Sequence, residues 1–306
     1  MKRKDFIKNI TFAAGGVLLL NNKTLAERTP KYPRFKPEVN NWEDSELNIA
    51  WIGHSTILIN LYGTIILTDP VLFERVGVEF MGLTYGPIRY TYPALKKTEI
   101  PQPDIILISH AHMDHMDHRT LKFLTEKSKK QIICITAANT SDVIDDLIWK
   151  DLYELDWNKK LMVNDTFFTG VEVKHNGWRY PFEMDRPEYI NGRSYNGYLI
   201  EKNGIKIFFA GDTGFTRKFQ SLKENKIDIA IFPVGGYVPK KQYHCNPEEA
   251  LVMADEYLSA KYFIPMHCKT FDFDDELEKP LIWMNEIKDN YKIKVVINDI
   301  GQSFKY

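Results

Sequence analysis

Ile105-Ile106-Leu107-Ile108-Ser109 is an apolar run that leads directly into His110-Ala111-His112-Met113-Asp114-His115-Met116-Asp117-His118. The run is bounded by Pro103-Asp104 and reads as a buried strand. Opening a core strand into four imidazoles and two carboxylates is costly unless those groups are paired or hold metal. The fold must therefore bring further polar partners to this strand end. His110 and His112, two residues apart, can point the same way and hold one ion. Asp114 and His115 follow on a turn and can reach a second. Imidazole and carboxylate without thiolate suit catalytic zinc, manganese or iron better than a structural cysteine site. Asp117 and His118 read as the cap and start of a following helix.

The rest of the chain has the rhythm of short strands and few helices. Strands are expected at Leu47 to Ile52, Thr56 to Leu61, Thr64 to Thr68, Ile132 to Thr136, Phe167 to Val173, Tyr195 to Glu201, Ile205 to Ala210, Ile229 to Pro233, Tyr262 to Met266 and Ile293 to Asn298. Helical spacing appears over Arg119 to Lys127, Thr140 to Trp149, Pro247 to Leu258 and Glu276 to Asp289. Asn246 is placed to cap the third of these, with Pro247 at its first position. Two β-rich halves with helices outside predict an α/β (α+β) sandwich layered helix, sheet, sheet, helix, rather than a doubly wound parallel sheet.

Three later segments repeat the pattern of polar residues at the end of an apolar strand. They are His175 after Val171-Glu172-Val173, Asp212 after Ile207-Phe208-Phe209-Ala210-Gly211, and His267 after Phe263-Ile264-Pro265-Met266. Together with HxHxDH at His110 to His115, this order resembles the metallo-β-lactamase superfamily. The resemblance implies an αββα four-layer sandwich and a binuclear metal-dependent hydrolase. It implies that His110, His112 and His175 hold one divalent ion, that Asp114, His115 and His267 hold the other, and that Asp212 bridges them. The ions would be zinc, with manganese or iron as alternatives. An anionic bridge offsets the repulsion of two dications, and a water between them becomes a nucleophile near neutral pH.

The position of Asp212 carries cysteine in many β-lactamases proper, which disfavours antibiotic hydrolysis. Trp51-Ile52-Gly53-His54-Ser55-Thr56, Thr68-Asp69-Pro70, Leu155-Asp156-Trp157, Asp212-Thr213-Gly214 and His244 before Asn246-Pro247-Glu248-Glu249-Ala250 resemble the N-acylphosphatidylethanolamine-hydrolysing phospholipases D. That branch implies a phosphodiesterase acting on a phospholipid, with catalytic roles for Asp114 and His244. His244 would bind phosphate oxygens or protonate the leaving alkoxide; alternatively it caps the next helix. Asp69 fits an acceptor for a ligand imidazole N–H, or a turn aspartate. His54 could orient a metal ligand, touch substrate, or be structural. A lactonase, a soluble phosphodiesterase and a non-catalytic metal-binding member are the alternatives.

Aromatic loops flank the ligand segments. Phe73 to Tyr92 carries Arg75 and Arg89, and Trp178 to Tyr198 carries Arg179, Arg186 and Arg193. They could form an apolar mouth with cationic points for a phosphate head, and a peripheral membrane contact, or simply pack the loops down. The formal net charge of −1 leaves no basic footprint for nucleic acid. Lys2, Arg3 and Lys4 followed by the apolar run Phe12 to Leu20 read as an export signal over 1–26 resembling a twin-arginine signal, or as an N-terminal anchor. Export would place the mature chain in the periplasm. Removing the five basic residues and one acidic residue of 1–26 would leave it at −5. Residues 27–46 read as an extended arm and 47–306 as the hydrolase domain. Cys134, Cys245 and Cys268 form no CxxC pair and are expected to be unpaired thiols.

Overall fold

The computed structural model describes residues 29–128, 131–180, 183–185, 192–238, 240–271 and 277–306. The export signal or anchor expected over 1–26 lies outside them.

Strands in the first half are apolar on both faces, so their sheet has to be covered on both. Leu47–Gly53 (β1), Thr56–Leu61 (β2) and Thr64–Thr68 (β3) form an antiparallel meander. Val78–Phe80 (β4) and Leu83–Tyr85 (β5) make a separate hairpin. Ile105–Leu107 (β6), Ile132–Ala137 (β7) and Trp149–Leu155 (β8) then add in parallel, and Ser303–Lys305, the last strand, closes the other edge against β1. Alternation sends Ile49, Trp51, Ile57, Ile59, Ile105 and Leu107 to the inter-sheet core. Ala50, Ile52, Leu58, Ile106 and Ile108 face the other way, onto Leu121 and Leu124 of the helix His118–Lys127 (α1).

The second sheet is built from Lys160–Val163 (β9), Thr166–Glu172 (β10), Asn196–Lys202, Ile205–Phe209, Ile229–Pro233, Tyr262–Met266 and Lys294–Val295. Between β10 and Asn196–Lys202 a small parallel pair intervenes, Met184–Asp185 (β11) with Gly192–Arg193 (β12). The remaining strands are therefore β13 to β17 in that order, and Ser303–Lys305 is β18. Helices Pro247–Val252 (α2) and Lys279–Ile287 (α3) bury Leu251, Leu281 and Met284 in the core that also holds β14 to β16. The result is the helix, sheet, sheet, helix sandwich, with thin helical layers.

Strand direction is what gathers the site. β1 runs parallel to β3, because each is antiparallel to β2, and β3, β6 and β7 are mutually parallel. Likewise β10, β14, β15 and β16 share one direction. Their C-terminal ends meet where the sheets are stitched together: Asn196 N donates to Ser109 O at 2.8 Å and Tyr198 Oη donates to Ile108 O at 2.8 Å. Gly211, at φ +57, sits at this seam, and a Cβ there would lie 2.6 Å from Ser109 Cβ.

Several expected elements differ. Thr140 to Trp149 is no amphipathic helix but a single 3₁₀ turn at Ser141–Val143, followed by β8. Thr140 Oγ1 donates to Ala137 O at 2.6 Å, and Glu154 Oε1 accepts from the backbone N–H groups of Thr140 and Ser141 at 3.0 and 2.9 Å. Those side-chain bonds offer the backbone a turn in place of a helix. The Pro247 helix stays α-helical only to Val252 and continues as a π turn over Met253–Tyr257. Its Asn246 cap forms a capping box with Glu249. The last helix spans Lys279–Ile287, with Glu276 outside the described residues. Strands β8, β9 and β18 extend the sheets where the sequence pattern is too polar to announce them. All three cysteines are free and buried.

Tyr198 ties one sheet to the other beneath the site. Tyr198→Phe strands the buried Ile108 carbonyl and is expected to lower stability by ~1–3 kcal/mol, read as a shifted urea midpoint at unchanged slope.

Candidate metal centre

His54 follows β1, Asp69 follows β3, and His110 to His115 follow β6. From the second sheet come His175 after β10, Asp212 after β14, His244 from the loop after β15, and His267 after β16. His54, Asp69 and His267 hold positive φ values of 50, 35 and 59, an unfavourable conformation for residues with side chains. The backbone around them is over-determined: His54 O accepts from Trp51 Nε1 at 2.8 Å and from His267 N at 3.0 Å.

The side chains fall into two adjoining groups. In the first, His112 Nδ1 lies 2.8 Å from His110 Nε2 and 3.3 Å from His175 Nε2. In the second, Asp114, His115 and His267 converge, with Asp114 Oδ2 3.6 Å from His267 Nε2 and 3.8 Å from His115 Nε2. Asp212 Oδ2 stands between the groups. It is 3.1 Å from both His115 Nε2 and His267 Nε2, 3.8 Å from His175 Nε2 and 3.7 Å from His244 Nδ1. Every residue singled out from the sequence as a ligand is brought into this cluster. His54 joins the second group as well, its Nε2 donating to Asp114 Oδ2 at 3.0 Å.

Tautomers follow from the outer ring nitrogens. Asp69 Oδ1 accepts from Ser109 N at 2.7 Å, and its Oδ2 accepts from Ser109 Oγ at 2.6 Å and from His115 Nδ1 at 2.7 Å. The only hydroxyl proton of Ser109 is thus used on Asp69, so at 2.9 Å its oxygen must accept from His110 Nδ1. His175 Nδ1 donates to the Tyr243 carbonyl at 3.0 Å, and His112 Nε2 to Asn176 Oδ1 at 3.0 Å. Neutral rings held this way turn three lone pairs toward one another in the first group. A tetrahedral ion at ~2.0–2.1 Å from imidazole nitrogens accepts that crowding, whereas a metal-free core does not. The buried His115 Nε2 and His267 Nε2, each near Asp212 Oδ2, and the buried Asp212 Oδ1 have no hydrogen-bond partner. The donor set fits divalent metal.

Electrostatics divide the two groups. In spite of burial, Asp212, Asp114 and Asp69 push His115 well above the usual histidine range, and Asp212 and Asp114 push His267 up to about 9. Those two rings must therefore give up a proton to take a metal. Burial, reinforced by neighbouring imidazoles, pushes His110 well below the usual histidine range. Burial likewise pushes His175 well down, against the pull of Asp212. Both rings are therefore neutral, as ligands must be. Burial opposes ionisation of Asp212, but His115, His267 and His244 together hold its carboxyl well below the ordinary carboxylate range. Asp114 behaves similarly, with His115, His267 and His54 overcoming burial.

Asn176 and Tyr243, which orient His112 and His175, were not legible in the sequence. An asparagine side chain and a backbone carbonyl leave no pattern. Of the two readings of the arginine-bearing loops, a cationic mouth or packing of the loops, the described arginines show packing. Arg89 is buried, donating to the carbonyls of Thr91, Val71 and Phe73. Arg179 donates to Ala111 O and Met116 O, Arg193 pairs with Asp142 and Glu183, and Arg75 donates to Gly86 O. They brace loops. Arg186 lies outside the described residues.

A family model described as a β-lactamase superfamily domain matches residues 48–267, so the chain belongs to the β-lactamase superfamily. Among curated relatives it is similar to N-acyl-phosphatidylethanolamine-hydrolyzing phospholipase D 1 of Caenorhabditis elegans, 27% identical over 290 residues covering 85% of this chain and 77% of that one. It is also similar to a metal-dependent hydrolase of Methanoculleus marisnigri, 27% identical over 228 residues covering 74% of this chain and 82% of that one. Its fold matches a metallo hydrolase of Ignicoccus hospitalis with a TM-score of 0.61 at 17% identity, over 85% of this chain and 98% of that one. Family and donor set together make the protein a metal-dependent hydrolase.

Asp69 touches no reacting group, yet it sets two ligand tautomers at once. Asp69→Asn is expected to weaken metal affinity about 10–100-fold, measured by competition with a chromogenic chelator.

Proposed function

We propose that the protein is a binuclear phosphodiesterase of phospholipase D type, cleaving N-acylphosphatidylethanolamine-like phospholipids on the alcohol side of the phosphate. The carrying observation is Asp212 Oδ2, set between a three-imidazole group and a mixed carboxylate-imidazole group. His110, His112 and His175 would hold one divalent ion, and Asp114, His115 and His267 the other, with Asp212 shared; zinc suits this donor set. Such ions supply a Lewis acid for a phosphoryl oxygen and acidify a water enough to attack it. The similarity to the nematode phospholipase over most of the chain supports the phospholipid substrate.

The protein's own side chains do the remaining work. Asp114 is oriented by His54 Nε2 through Oδ2, the oxygen that also approaches His267 and His115. His244 packs edge-on to His175, with ring centroids 5.1 Å apart, and stands over Gly236, where any Cβ would press on its Nδ1 at 3.2 Å. Burial pushes its pKa down to about 4 in spite of Asp212, so the ring is neutral at physiological pH. Its place beside Asp212 and His175 suits contact with a phosphate oxygen at the site. Trp178, half exposed and edge-on to His112 at 5.9 Å, walls the open face beside the first group.

The decisive assay compares a phospholipid, a chromogenic phosphodiester and lactones with the zinc- or manganese-loaded protein. Turnover of the two phosphodiesters is expected; turnover of lactones alone would transfer the site to lactone hydrolysis. Chelation should abolish the rate, and added metal should restore it. Asp212→Asn is expected to lose more than the ~100-fold associated with an outer-sphere change, together with metal content. His244→Ala should retain its metal and lose ~10²–10³-fold in kcat.

A further inference from the structure

The β4–β5 hairpin is folded inside out. Val78 pairs with Tyr85, Glu79 with Thr84 and Phe80 with Leu83, around the turn Met81-Gly82 at φ 51 and 77. Strand alternation puts Val78, Phe80, Leu83 and Tyr85 on one face and Glu79 and Thr84 on the other. The polar face is the one tied to the domain. Arg119 donates to Thr84 Oγ1, lies 3.4 Å from Glu79 Oε1, and stacks over Phe73 at 4.2 Å. The apolar face and tip are left in solvent: Phe80 is 42% exposed, Met81 85%, Leu83 62% and Tyr85 48%. Nothing lies within 4 Å of a Cβ built on Gly82, so the tip projects freely.

We propose that this hairpin inserts into the surface of a phospholipid bilayer through Phe80, Met81 and Leu83 and seats the protein there. The inference rests on the phospholipid reading of the site. Its shape argues for lipid over protein: a convex two-stranded tip offers a handful of side chains, where a stable protein interface engages ~20–30 residues a side. A bilayer needs no complementary groove. Tyr85, and Tyr32 resting on Tyr92 at 4.7 Å, supply amphipathic rings of the kind that settle at headgroup level. Lys31, which bridges to Thr91 in the same loop region, suits anionic headgroups.

The attachment of the N-terminal arm points to the same side. Lys31 N donates to Tyr90 O at 2.7 Å and Tyr92 N donates to Lys31 O at 2.8 Å. Lys31 therefore joins the domain beside the loop that carries the hairpin. Among the described residues no helix is long and apolar enough to cross a membrane. Arg119, which pins the hairpin, opens α1 directly after the ligand loop, so docking would hold the metal centre near the lipid surface.

The test uses the full chain and unilamellar vesicles of phosphatidylethanolamine and phosphatidylglycerol. A Met81→Asp, Leu83→Asp double variant keeps the turn, because aspartate tolerates positive φ. It is expected to co-float at least about tenfold more weakly than wild type, with thermal melting and turnover of a soluble chromogenic phosphodiester unchanged. Met162→Asp, an exposed apolar position on β9, should float like wild type. Leu83→Trp should show blue-shifted emission with vesicles and quenching by brominated acyl chains. Equal flotation of the double variant, or an emission that stays in water, overturns the proposal. So does a wild-type dimer that the double variant disperses, because a second copy would then cover the face. Flotation requires no turnover. A catalytically silent protein that still floats through its hairpin supports docking while overturning the phosphodiesterase reading.

Discussion

A single buried carboxylate organises the centre. Asp69, fully buried and held at φ 35, accepts from Ser109 N, Ser109 Oγ and His115 Nδ1. Burial pushes its carboxyl up, and His115 and Ser109 pull it back, so the three donors are what make an ionised group tolerable there. Because Ser109 spends its proton on Asp69, the His110 tautomer is decided too. One residue from β3 thus dictates which ring nitrogens of two histidines after β6 face the cluster. A backbone conformation that is unfavourable in isolation persists because these bonds over-determine it.

The two sheets make that arrangement rigid. The inner core packs residues of β1, β2 and β6 against those of β10, β13 and β14, while Tyr198 and Asn196 close the seam at the ligand edge. Ligands from both sheets can then approach within hydrogen-bond distance without a flexible loop between them. The arginines do related work farther out. Arg89, Arg179 and Arg193 are consumed in bracing loop carbonyls and acids, leaving the open side of the centre to Trp178 and His244.

Much of the fold was legible because strand ends announce themselves. Ile105 to Ser109, Ile207 to Ala210 and Phe263 to Met266 are continuous apolar segments broken by a histidine or aspartate, and each proved to be a strand delivering its polar residue to the same edge. The 140–149 segment misled because its helical spacing of Ile144, Leu147 and Ile148 carried no record of the Thr136, Thr140 and Glu154 side-chain bonds that hold a turn. β8 and β9 were obscure for a related reason: edge strands carry charge on their exposed faces and lose the alternation that marks a buried strand. The hairpin at Val78 to Tyr85 shows the opposite inversion, with its apolar face outward.

By itself the sequence determined the type of chemistry, because imidazoles and carboxylates directly after core strands cannot be buried without partners or metal. It also determined the order in which those groups enter the site, and the capping of α1 by Asp117 and of α2 by Asn246, since these are local effects of side chain on backbone. Tertiary structure alone decided which nitrogens face inward, that Asp212 lies between two groups, and that His54 serves Asp114. It alone decided that the arginines are braces and that one hairpin turns its apolar face to solvent. Those outcomes depend on distances between residues far apart in the chain, and only the packing of two sheets sets them.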